Sequence, residues 1–389
     1  MLSQSDVDSI LISIPELNSS ENARAIITHI LHNPNLNYPD CPLTLKEEIL
    51  KIAKKKGITV SDPVNGFTFI DLFAGIGGFR QAFSSLGCQC VFSSEWDADA
   101  KKTYFANYGE MPFGDIRQID ASEIPDHDIL CGGFPCQPFS IAGISKKKSL
   151  GRATGFEDKT QGTLFFDVAR ILKAKHPKAF FLENVKNLLS HDKGRTWKII
   201  YQTLSKELKY NVFSCIVDGR YWVPQHRERI FIVGFDNSVL PDGSTFEIPQ
   251  RPAASFTYPY LSQIIQTNVP AKFTLGPKTW ECLKRRKIEQ HAKGNGFGYT
   301  LLPEVIQDDT ITSTISARYY KDGAEILIPQ DGKRPRRLTV DEAMQLQGYD
   351  PKSFVFPVGD NKAYKQIGNS VVVPAVRETA QAILNVLER

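Results

Sequence analysis

Apolar residues recur along the chain at two different spacings, and the change from one spacing to the other marks the predicted regions. Within residues 1–62, helical spacing of apolar side chains predicts helices over 22–32 and 43–56, separated by a stretch rich in turn-forming residues. The economical interpretation is a small helical extension packed on the main body. A DNA-contacting helix-turn-helix is the alternative, because residues 51–56 are basic, although the intervening turn is long for that motif.

Between residues 67 and 235, short apolar runs alternate with amphipathic stretches. The apolar runs predict buried strands at 67–72, 90–94, 129–131, 179–182 and 229–234. Helical spacing predicts helices between them, at 78–86, 163–175 and 193–208. This alternation favours an α/β fold in which an open, mostly parallel sheet is covered by helices on both faces.

Beyond residue 236 the regular pattern is lost until about residue 335. Prolines, turn residues and short β-like pieces predict a separate, smaller and irregular β-rich domain there. Helical spacing resumes at 336–347, and residues 374–387 predict an amphipathic closing helix. The predicted divisions are an extension at 1–62, an α/β domain at 63–238, the irregular domain at 239–335 and a final segment at 336–389.

Composition narrows the class of protein. The 389 residues predict two or three domains, and 41% hydrophobic with 23% charged residues is ordinary for a globular chain with a sizeable core. Because the net charge is only +4, any nucleic-acid surface must come from local clusters of basic residues. No apolar run approaches the ~20 residues that span a bilayer, and the first residues do not resemble a secretory signal. We therefore expect no membrane contact and a cytoplasmic location.

The seven cysteines predict reduced thiols and no metal site. Their number is odd, and the one close pair, Cys88 and Cys90, has a spacing that suits neither a disulfide nor zinc. Cys136 differs from the others because it lies in a loop punctuated by glycine and proline, directly after the predicted strand at 129–131. Such a loop presents a thiol at the end of a sheet. Another predicted strand, at 179–182, ends on the carboxylate of Glu183.

A glycine-rich turn at residues 73–78 follows the first predicted strand and opens a helix. Glu95 lies about 20 residues past its first glycine, where an acceptor for ribose hydroxyl groups is found in nucleotide-binding folds. Trp96 follows it and is suited to stack on a purine. A plain strand-to-helix turn and a packed tryptophan are the alternatives for these two features.

A thiol, a strand-end carboxylate and a glycine turn in these positions resemble the DNA (cytosine-5)-methyltransferases, whose motifs are matched in order from about residue 67 to 387. The resemblance implies a Rossmann-like class I S-adenosylmethionine-dependent catalytic domain and a target-recognition domain at 239–335. Residues 364–371 match the family's C-terminal motif, so the segment 336–389 is expected to return to the catalytic domain. Glu95 would bind the ribose, Trp96 would cover the adenine, and Asp115 would contact its edge. The implied contacts of S-adenosyl-L-methionine are Phe73, Gly75, Gly77, Gly78, Glu95, Trp96, Asp115, Ile116, Pro135, Leu164, Asn369 and Ser370.

The same resemblance implies covalent catalysis on a cytosine that has left the duplex. The Cys136 thiolate adds to carbon 6 of the ring, so that carbon 5 becomes nucleophilic enough to accept a methyl group. Glu183 holds or protonates ring N3 during the addition. Arg227 and Arg229 match the family's Q-x-R-x-R element and are expected to orient the base and support the cysteine loop. Which of the two arginines faces the ring stays open.

Basic and glycine-rich stretches predict the contacts with DNA. Residues 140–159 form a basic loop after the nucleophile, expected to close over the minor groove, with a solvated charge run as the alternative. Two later stretches resemble the recognition loops of the Dcm-like branch, which methylates the inner cytosine of CCWGG or CCNGG sites. The predicted DNA-reading residues are Lys293, Asn295, Thr314, Ser316, Arg318, Tyr319, Tyr320 and Lys321.

The sequence leaves several alternatives to a DNA cytosine-5 methyltransferase with Dcm-like specificity. An RNA cytosine-5 methyltransferase could use the same scaffold, and the DNA specificity could be of the CCGG type. The glycine turn alone would suit a NAD-dependent oxidoreductase, but that function would leave Cys136 and Glu183 unexplained. The chain could also be a DNA-binding regulator that contacts DNA through residues 1–62. Double-stranded DNA is the expected partner of a monomeric enzyme in the bacterial cytoplasm, with a restriction endonuclease acting on the same site.

Overall fold

The computed structural model describes residues 2–20, 22–35, 42–58, 66–135, 164–294 and 298–389. The chain forms two compact units. Unit 1 comprises Met1–Ile216, Arg229–Pro249 and Thr379–Arg389, and unit 2 comprises Val217–Glu228 and Gln250–Glu378. Only residues 379–389 of the final segment belong to unit 1, whereas the sequence prediction returned all of 336–389 to the catalytic domain. The functional division into catalytic and recognition domains remains a prediction.

A six-stranded sheet forms the centre of unit 1. Its strands are β1 (Thr68–Leu72), β2 (Gln89–Ser94), β3 (Ile129–Gly133), β4 (Ala179–Val185), β5 (Tyr210–Asp218) and β6 (Glu228–Asp236). They are arranged in the order β2-β1-β3-β4-β6-β5, with β1 parallel to β2 and β3, and β3 parallel to β4. Strand β6 is antiparallel to β4. The four parallel strands are almost wholly buried, as expected for strands covered by helices on both faces.

Helices cover this sheet, and local capping fixes the ends of some of them. The helices of unit 1 after β1 are α4 (Gly78–Ser84), α5 (Ala98–Tyr108), α6 (Leu164–Lys175) and α7 (Arg195–Gln202), followed by a π-helical turn at Thr203–Glu207. Helix α5 begins where the Asp97 carboxylate accepts hydrogen bonds from the N–H groups of Asp99 and Ala100. It ends at Gly109, whose φ of 65° is left-handed.

The N-terminal extension is helical and belongs to unit 1. Its helices are α1 (Gln4–Ser13), α2 (Ala23–His32) and α3 (Leu43–Lys55), which precede β1 in the chain. They share an apolar core that includes Val7, Ile10, Ile27 and Ile49, against which Phe105 of α5 also packs. The helices of residues 1–62 thus pack within unit 1, and α1 is a helix that the sequence did not predict.

Unit 2 combines helices with a two-stranded antiparallel sheet. Its strands are β7 (Leu327–Gln330) and β8 (Lys333–Arg337). Its helices are α8 (Leu261–Ile264), α9 (Pro277–Ala292), α10 (Val340–Gln345) and α11 (Asp360–Asn369), while α12 (Val373–Leu387) continues from unit 2 into unit 1. Among the described residues of both units, no helix is long and apolar enough to cross a membrane.

The sequence prediction differs from the structure at several elements. Residues 336–347 were predicted to be helical, but Arg336 and Arg337 end β8 and the helix begins only at Val340. The 16-residue helix α9 lies in a region for which no helix was predicted. Strand β5 and helix α5 were also missed.

Candidate active site

Parallel pairing brings the ends of β1 to β4 to one edge of the sheet. Leu72 of β1 lies beside both Ser94 of β2 and Gly132 of β3, and Gly133 lies beside Glu183 of β4. The residues that follow these strand ends therefore come from distant parts of the sequence and meet at the carboxyl edge, where ligands bind in open α/β sheets.

The glycine turn after β1 is built around two left-handed glycines. Gly75 has a φ of 56° and Gly77 a φ of 85°. A Cβ atom at Gly77 would lie 2.3 Å from the Tyr108 ring, so a side chain could not be accommodated without moving that ring. Phe73 is also left-handed, with a φ of 56°, which is uncommon for a residue with a side chain. Gly78 begins α4 and is buried.

Glu95 joins the end of β2 to this turn. One carboxylate oxygen accepts a hydrogen bond from the Gly75 N–H at 2.8 Å, and the other accepts one from the Asp97 N–H at 2.7 Å. Burial raises the pKa of the Glu95 carboxyl group, while these backbone N–H groups act in the opposite direction. A carboxylate has about four lone-pair sites, so further acceptor capacity remains for ribose hydroxyl groups.

The neighbouring residues fit a cofactor that carries an adenosine group. The Trp96 side chain follows Glu95 and is 78% exposed, so the rest of the protein leaves this large aromatic surface open. Ile116 is buried, and Asp115 forms a hydrogen-bonded ion pair with Arg117. The Arg117 side chain lowers the pKa of the Asp115 carboxyl group. The exposed indole beside a strand-end carboxylate is the feature that fits a bound nucleoside.

Other predicted cofactor contacts lie in two places. Pro135 is exposed after β3, and Leu164 begins α6, where it packs with Phe73 against the core of unit 1. In unit 2, Asn369 is exposed at the end of α11, while Ser370 is buried with its hydroxyl group 2.7 Å from the Tyr349 hydroxyl group. The contribution of Asn369 and Ser370 to the cofactor site stays a prediction.

Glu183 forms a buried ion pair at the end of β4. Its carboxylate lies 3.0 Å from Nε of Arg229, and the two side chains are only 11% and 18% exposed. Arg229 reaches it from β6, where its backbone pairs with Val185. Next to Glu183, the Asn184 side-chain amide donates a 2.8 Å hydrogen bond to the Phe134 carbonyl group. The end of β4 is thereby tied to the chain two residues before Cys136.

Arg227 has a different environment from Arg229. It is 2% exposed, and its guanidinium group donates to the carbonyl groups of Ile315, Gly368 and Ser370 at 3.0, 3.0 and 2.6 Å. All of these contacts lie within unit 2. The structure therefore brings Arg229 to the Glu183 carboxylate, whereas Arg227 binds backbone segments of unit 2 together.

Gln225 joins two backbone segments of unit 2, and the sequence prediction gave it no role. It is fully buried; its side chain donates to the Leu346 carbonyl group at 2.6 Å and accepts from the Ile315 N–H at 2.7 Å. Its place two residues before Arg227 was the available signal, because alternate residues of an extended segment share one face. Its partners are about 90 and 121 residues away in sequence, so the sequence alone did not identify them.

Some predicted site residues lie outside the described part of the chain. These are Cys136, the basic loop at 140–159 and Asn295. Within the described ranges, no group of His, Cys, Asp and Glu side chains could hold a metal ion.

The predicted DNA-reading residues of unit 2 fall into two groups. Arg318 and Lys321 are exposed, Tyr320 is half-buried, and Lys293 is exposed at the end of α9. The hydroxyl groups of Thr314 and Ser316 are instead bound within the unit, to the His226 carbonyl group and to Glu325.

Tyr319 requires a correction. It is fully buried, its hydroxyl group donates to the Ile326 carbonyl group and accepts from the Leu338 N–H, and its ring packs against Tyr364. A side chain that is enclosed in this way does not present a hydrogen-bonding group to a base. We therefore remove Tyr319 from the predicted DNA-reading residues.

Comparison with known proteins identifies the family. The family described as C-5 cytosine-specific DNA methylase matches residues 67–385. The chain is 51% identical over 325 residues to the type II methyltransferase M1.ScrFI of Lactococcus lactis subsp. cremoris, covering 83% of this chain and 79% of the relative. It is 46% identical over 374 residues to the DNA-cytosine methyltransferase of Escherichia coli K12, covering 82% and 78%.

A solved structure supports the fold at lower sequence identity. The S. pombe Dnmt2 methyltransferase has a TM-score of 0.63 and 15% identity, covering 83% of this chain and all of that one. The predicted Rossmann-like class I fold is thereby confirmed. The chain belongs to the C-5 cytosine-specific DNA methylases, enzymes that use S-adenosyl-L-methionine to methylate carbon 5 of cytosine in DNA.

Proposed function

We propose that the chain methylates the inner cytosine of a duplex site of the CCWGG or CCNGG type, through a covalent adduct between Cys136 and carbon 6 of the base. The observation that carries the chemical part is the buried Glu183–Arg229 pair, with Asn184 bound to the Phe134 carbonyl group. This arrangement supports a fixed carboxyl group beside the start of the nucleophile loop. The cytosine-5 chemistry of the family needs the thiol of Cys136 and the carboxyl group of Glu183 close to the same base.

The proposed mechanism divides the work between the thiolate and the carboxyl group. Cys136 Sγ forms a bond to carbon 6, and the electron pair displaced from the C5–C6 double bond makes carbon 5 nucleophilic. Glu183 in its protonated form donates its proton to N3, so that negative charge does not accumulate on the ring, and Arg229 fixes the orientation of the carboxyl group and stabilises the carboxylate that is left. S-adenosyl-L-methionine, when bound, supplies an electrophilic methyl group to carbon 5. S-adenosylhomocysteine is left by the transfer. Water then accepts the C5 proton, the electron pair of that C–H bond restores the C5–C6 double bond, the Cys136 thiolate leaves carbon 6, and the N3 proton returns to Glu183.

Glu95, Trp96 and Asp115 are the residues that we propose to hold the adenosine part of the cofactor. Glu95 lies at the end of β2 with lone pairs available for ribose, and the exposed Trp96 indole can stack on the adenine ring. Gly75 keeps the glycine turn free of a side chain beside the Glu95 carboxylate, whereas Gly77 makes room for the Tyr108 ring.

Glu95→Ala should weaken binding of S-adenosyl-L-methionine without an equal loss of DNA affinity. Removing a charged acceptor from a hydrogen bond costs about 1.5–3 kcal/mol, which corresponds to roughly a tenfold to hundredfold rise in Kd. Isothermal titration with the cofactor and a separate DNA-binding assay measure the two affinities. Unchanged cofactor affinity in a folded Glu95→Ala protein would contradict the assignment.

The site specificity is supported by the resemblance of residues 316–322 to the second recognition loop of the Dcm-like branch. Arg318 and Lys321 of this stretch are exposed and Tyr320 is half-buried. A side chain that reads a base edge contributes about 1–3 kcal/mol of discrimination, whereas a phosphate contact weakens binding to all sequences alike. We further propose that the chain acts as a monomer and that a cognate restriction endonuclease cuts the same DNA site.

Arg318→Ala should change the ratio of methylation rates among CCAGG, CCTGG, CCGGG and CCGG duplexes. Bisulfite sequencing of the products, at two salt concentrations, gives both the modified base and its context. Lys352→Ala, which removes an exposed charge elsewhere in unit 2, is the matched control. A uniform loss of activity would mean that Arg318 contacts phosphate, and no methylation of any of these duplexes by the wild type would refute the proposed specificity.

A further inference from the structure

Helix α2 of the N-terminal extension contacts the segment that leads to Asp115. The Asn22 side-chain oxygen accepts a hydrogen bond from the Gly114 N–H at 3.1 Å. Six residues further along the chain, the Thr28 hydroxyl oxygen accepts one from the Met111 N–H at 3.0 Å. Because the two acceptors lie at either end of the segment 111–114, they hold its backbone from the side of the extension.

The same segment is bound on its other side to the strand that carries Glu95. The Phe113 N–H donates to the Ser93 carbonyl group at 2.8 Å, and the Glu95 N–H donates to the Phe113 carbonyl group at 3.0 Å. The Ser94 hydroxyl group donates to the Gly114 carbonyl group at 2.7 Å. The backbone of 111–114 thus lies between helix α2 and the end of β2. Glu95 and Asp115 directly follow the residues that form these hydrogen bonds.

A buried cluster of three ionisable side chains joins the extension to the helix that follows the glycine turn. His29 of α2 lies 3.1 Å from the Glu110 carboxylate, and the other oxygen of Glu110 lies 3.0 Å from Arg80 of α4. His29 and Glu110 are both fully buried. Burial alone would raise the pKa of Glu110, but Arg80 and His29 together hold it well below its usual range. Since Arg80 lies in the first turn of α4, the cluster connects helix α2, the segment after α5 and the helix that follows the glycine turn.

His29 also contacts β2 directly. Its Nε2 atom lies 3.2 Å from the Ser93 N–H, and its ring lies 4.9 Å from the Phe113 ring, measured between centroids. Asn33, at the end of α2, donates to the Cys90 carbonyl group at 3.2 Å. Side chains of α2 and its flanking residues therefore follow β2 from Cys90 to its end.

We propose that helix α2 of the extension, with its cap residue Asn22, is a positioning element of the cofactor site: Asn22, Thr28 and His29 hold the segment 110–115 and the end of β2, and thereby set the affinity for S-adenosyl-L-methionine. The inference rests on the proposed binding of the adenosine group by Glu95, Trp96 and Asp115. It assigns a role in cofactor binding to residues that precede the family match, which begins at residue 67. The physical basis is preorganisation, because a segment that is already ordered loses less entropy when the cofactor binds.

The first test is a pair of substitutions at Thr28. Thr28→Val keeps the shape of the side chain but removes the hydroxyl group, and should raise the Kd and the KM for S-adenosyl-L-methionine about twofold to tenfold, as expected for one lost hydrogen bond. The kcat and the KM for DNA should stay within about twofold, since the hydrogen bond acts on the cofactor site alone. Thr28→Ser, which retains the hydroxyl group, should restore the cofactor affinity.

Two further variants keep this test interpretable. Asn22→Ala alters a partly exposed side chain and should raise the Kd for the cofactor by a similar factor if Thr28→Val fails to fold. Thr44→Val makes the same chemical change as Thr28→Val at an exposed position of α3 and should have no effect. Cofactor affinity that is unchanged in folded Asn22→Ala and Thr28→Val proteins overturns the inference.

The second test uses the wild-type chain. Coupling between two sites is reciprocal, so a cofactor that binds more tightly to the docked extension must also stabilise its docking. Saturating S-adenosylhomocysteine should therefore slow hydrogen exchange of the amides of α2, measured by mass spectrometry, while amides of α9 in unit 2 serve as the reference. Equal exchange in α2 with and without this product overturns the inference.

The Glu95→Ala variant distinguishes a wrong adenosine site from a wrong role of the extension. If Glu95→Ala leaves the cofactor affinity unchanged, the proposed adenosine site itself is wrong. If Glu95→Ala weakens binding but the α2 substitutions do not, the adenosine site stands and only the role of the extension is refuted.

Discussion

Replacing Cys136 by serine is expected to abolish methyl transfer while leaving cofactor binding intact. A serine hydroxyl group is far less acidic than a thiol, so it supplies almost no anionic nucleophile to add to carbon 6 at neutral pH. The wild-type chain should also form a stable covalent complex with a duplex that carries 5-fluorocytosine at the target position, because fluorine at carbon 5 blocks the final elimination. Denaturing electrophoresis of that complex and a methyl-transfer assay give the two measurements.

Cys131→Ser is the matched control for this prediction. Cys131 lies in β3, is fully buried, and burial raises the pKa of its thiol well above the usual value, so it is not a nucleophile. The substitution should retain methyl transfer and lower the free energy of unfolding by about 1–2 kcal/mol, because it buries a hydroxyl group. Full activity of Cys136→Ser, or no adduct with the wild type, would refute the covalent mechanism.

Glu183→Gln is expected to lower kcat by a factor of about 10²–10⁴, the usual contribution of a positioned acid or base. Glutamine has nearly the same shape but cannot gain or lose a proton at neutral pH, so it can neither pass a proton to N3 nor form the ion pair with Arg229. Single-turnover rates with saturating DNA and cofactor measure the loss at the chemical step. Glu207→Gln makes the same change at an exposed position of unit 1 and should leave the rate unchanged.

A structural effect of Glu183→Gln can be distinguished from a chemical one. If the substitution acts only by loosening the end of β4, then Asn184→Ala, which removes the hydrogen bond to the Phe134 carbonyl group, should cause an equal loss of rate. We expect the loss in Asn184→Ala to be smaller, because the carboxyl group remains. A Glu183→Gln enzyme with wild-type single-turnover rates would exclude a role for this carboxyl group in the reaction.

The strands of the sheet centre could be predicted because parallel strands buried on both faces are apolar at nearly every position. The elements that were missed lack this signal. Helix α9 buries only Leu283, so its sequence has almost no apolar period, and the strand β5 is partly exposed along most of its length. Helix α5 is capped by Asp97 and Gly109, but it buries mainly Ala100, Thr103 and Tyr104, which form a weak apolar stripe.

The candidate site was predictable where a motif directly follows a strand, as at Glu95 and Glu183. It was less predictable where a side chain binds backbone groups that are remote in sequence. The carbonyl partners of Arg227 are 88 to 143 residues away, so the sequence left the choice between Arg227 and Arg229 open. The burial of Tyr319 depends in the same way on Tyr364 and Leu338, whereas its sequence neighbours Arg318 and Tyr320 are more exposed.

The discontinuous make-up of unit 1 has a consequence for synthesis of the chain on the ribosome. Residues 379–389, whose buried side chains include Ala380, Ile383 and Leu384, belong to unit 1 but are translated only after Gln250–Glu378 of unit 2. At roughly 5–20 residues per second, that intervening stretch takes on the order of ten seconds to translate. Unit 1 therefore stays incomplete for this interval, in which chaperone binding and aggregation compete with completion of the fold.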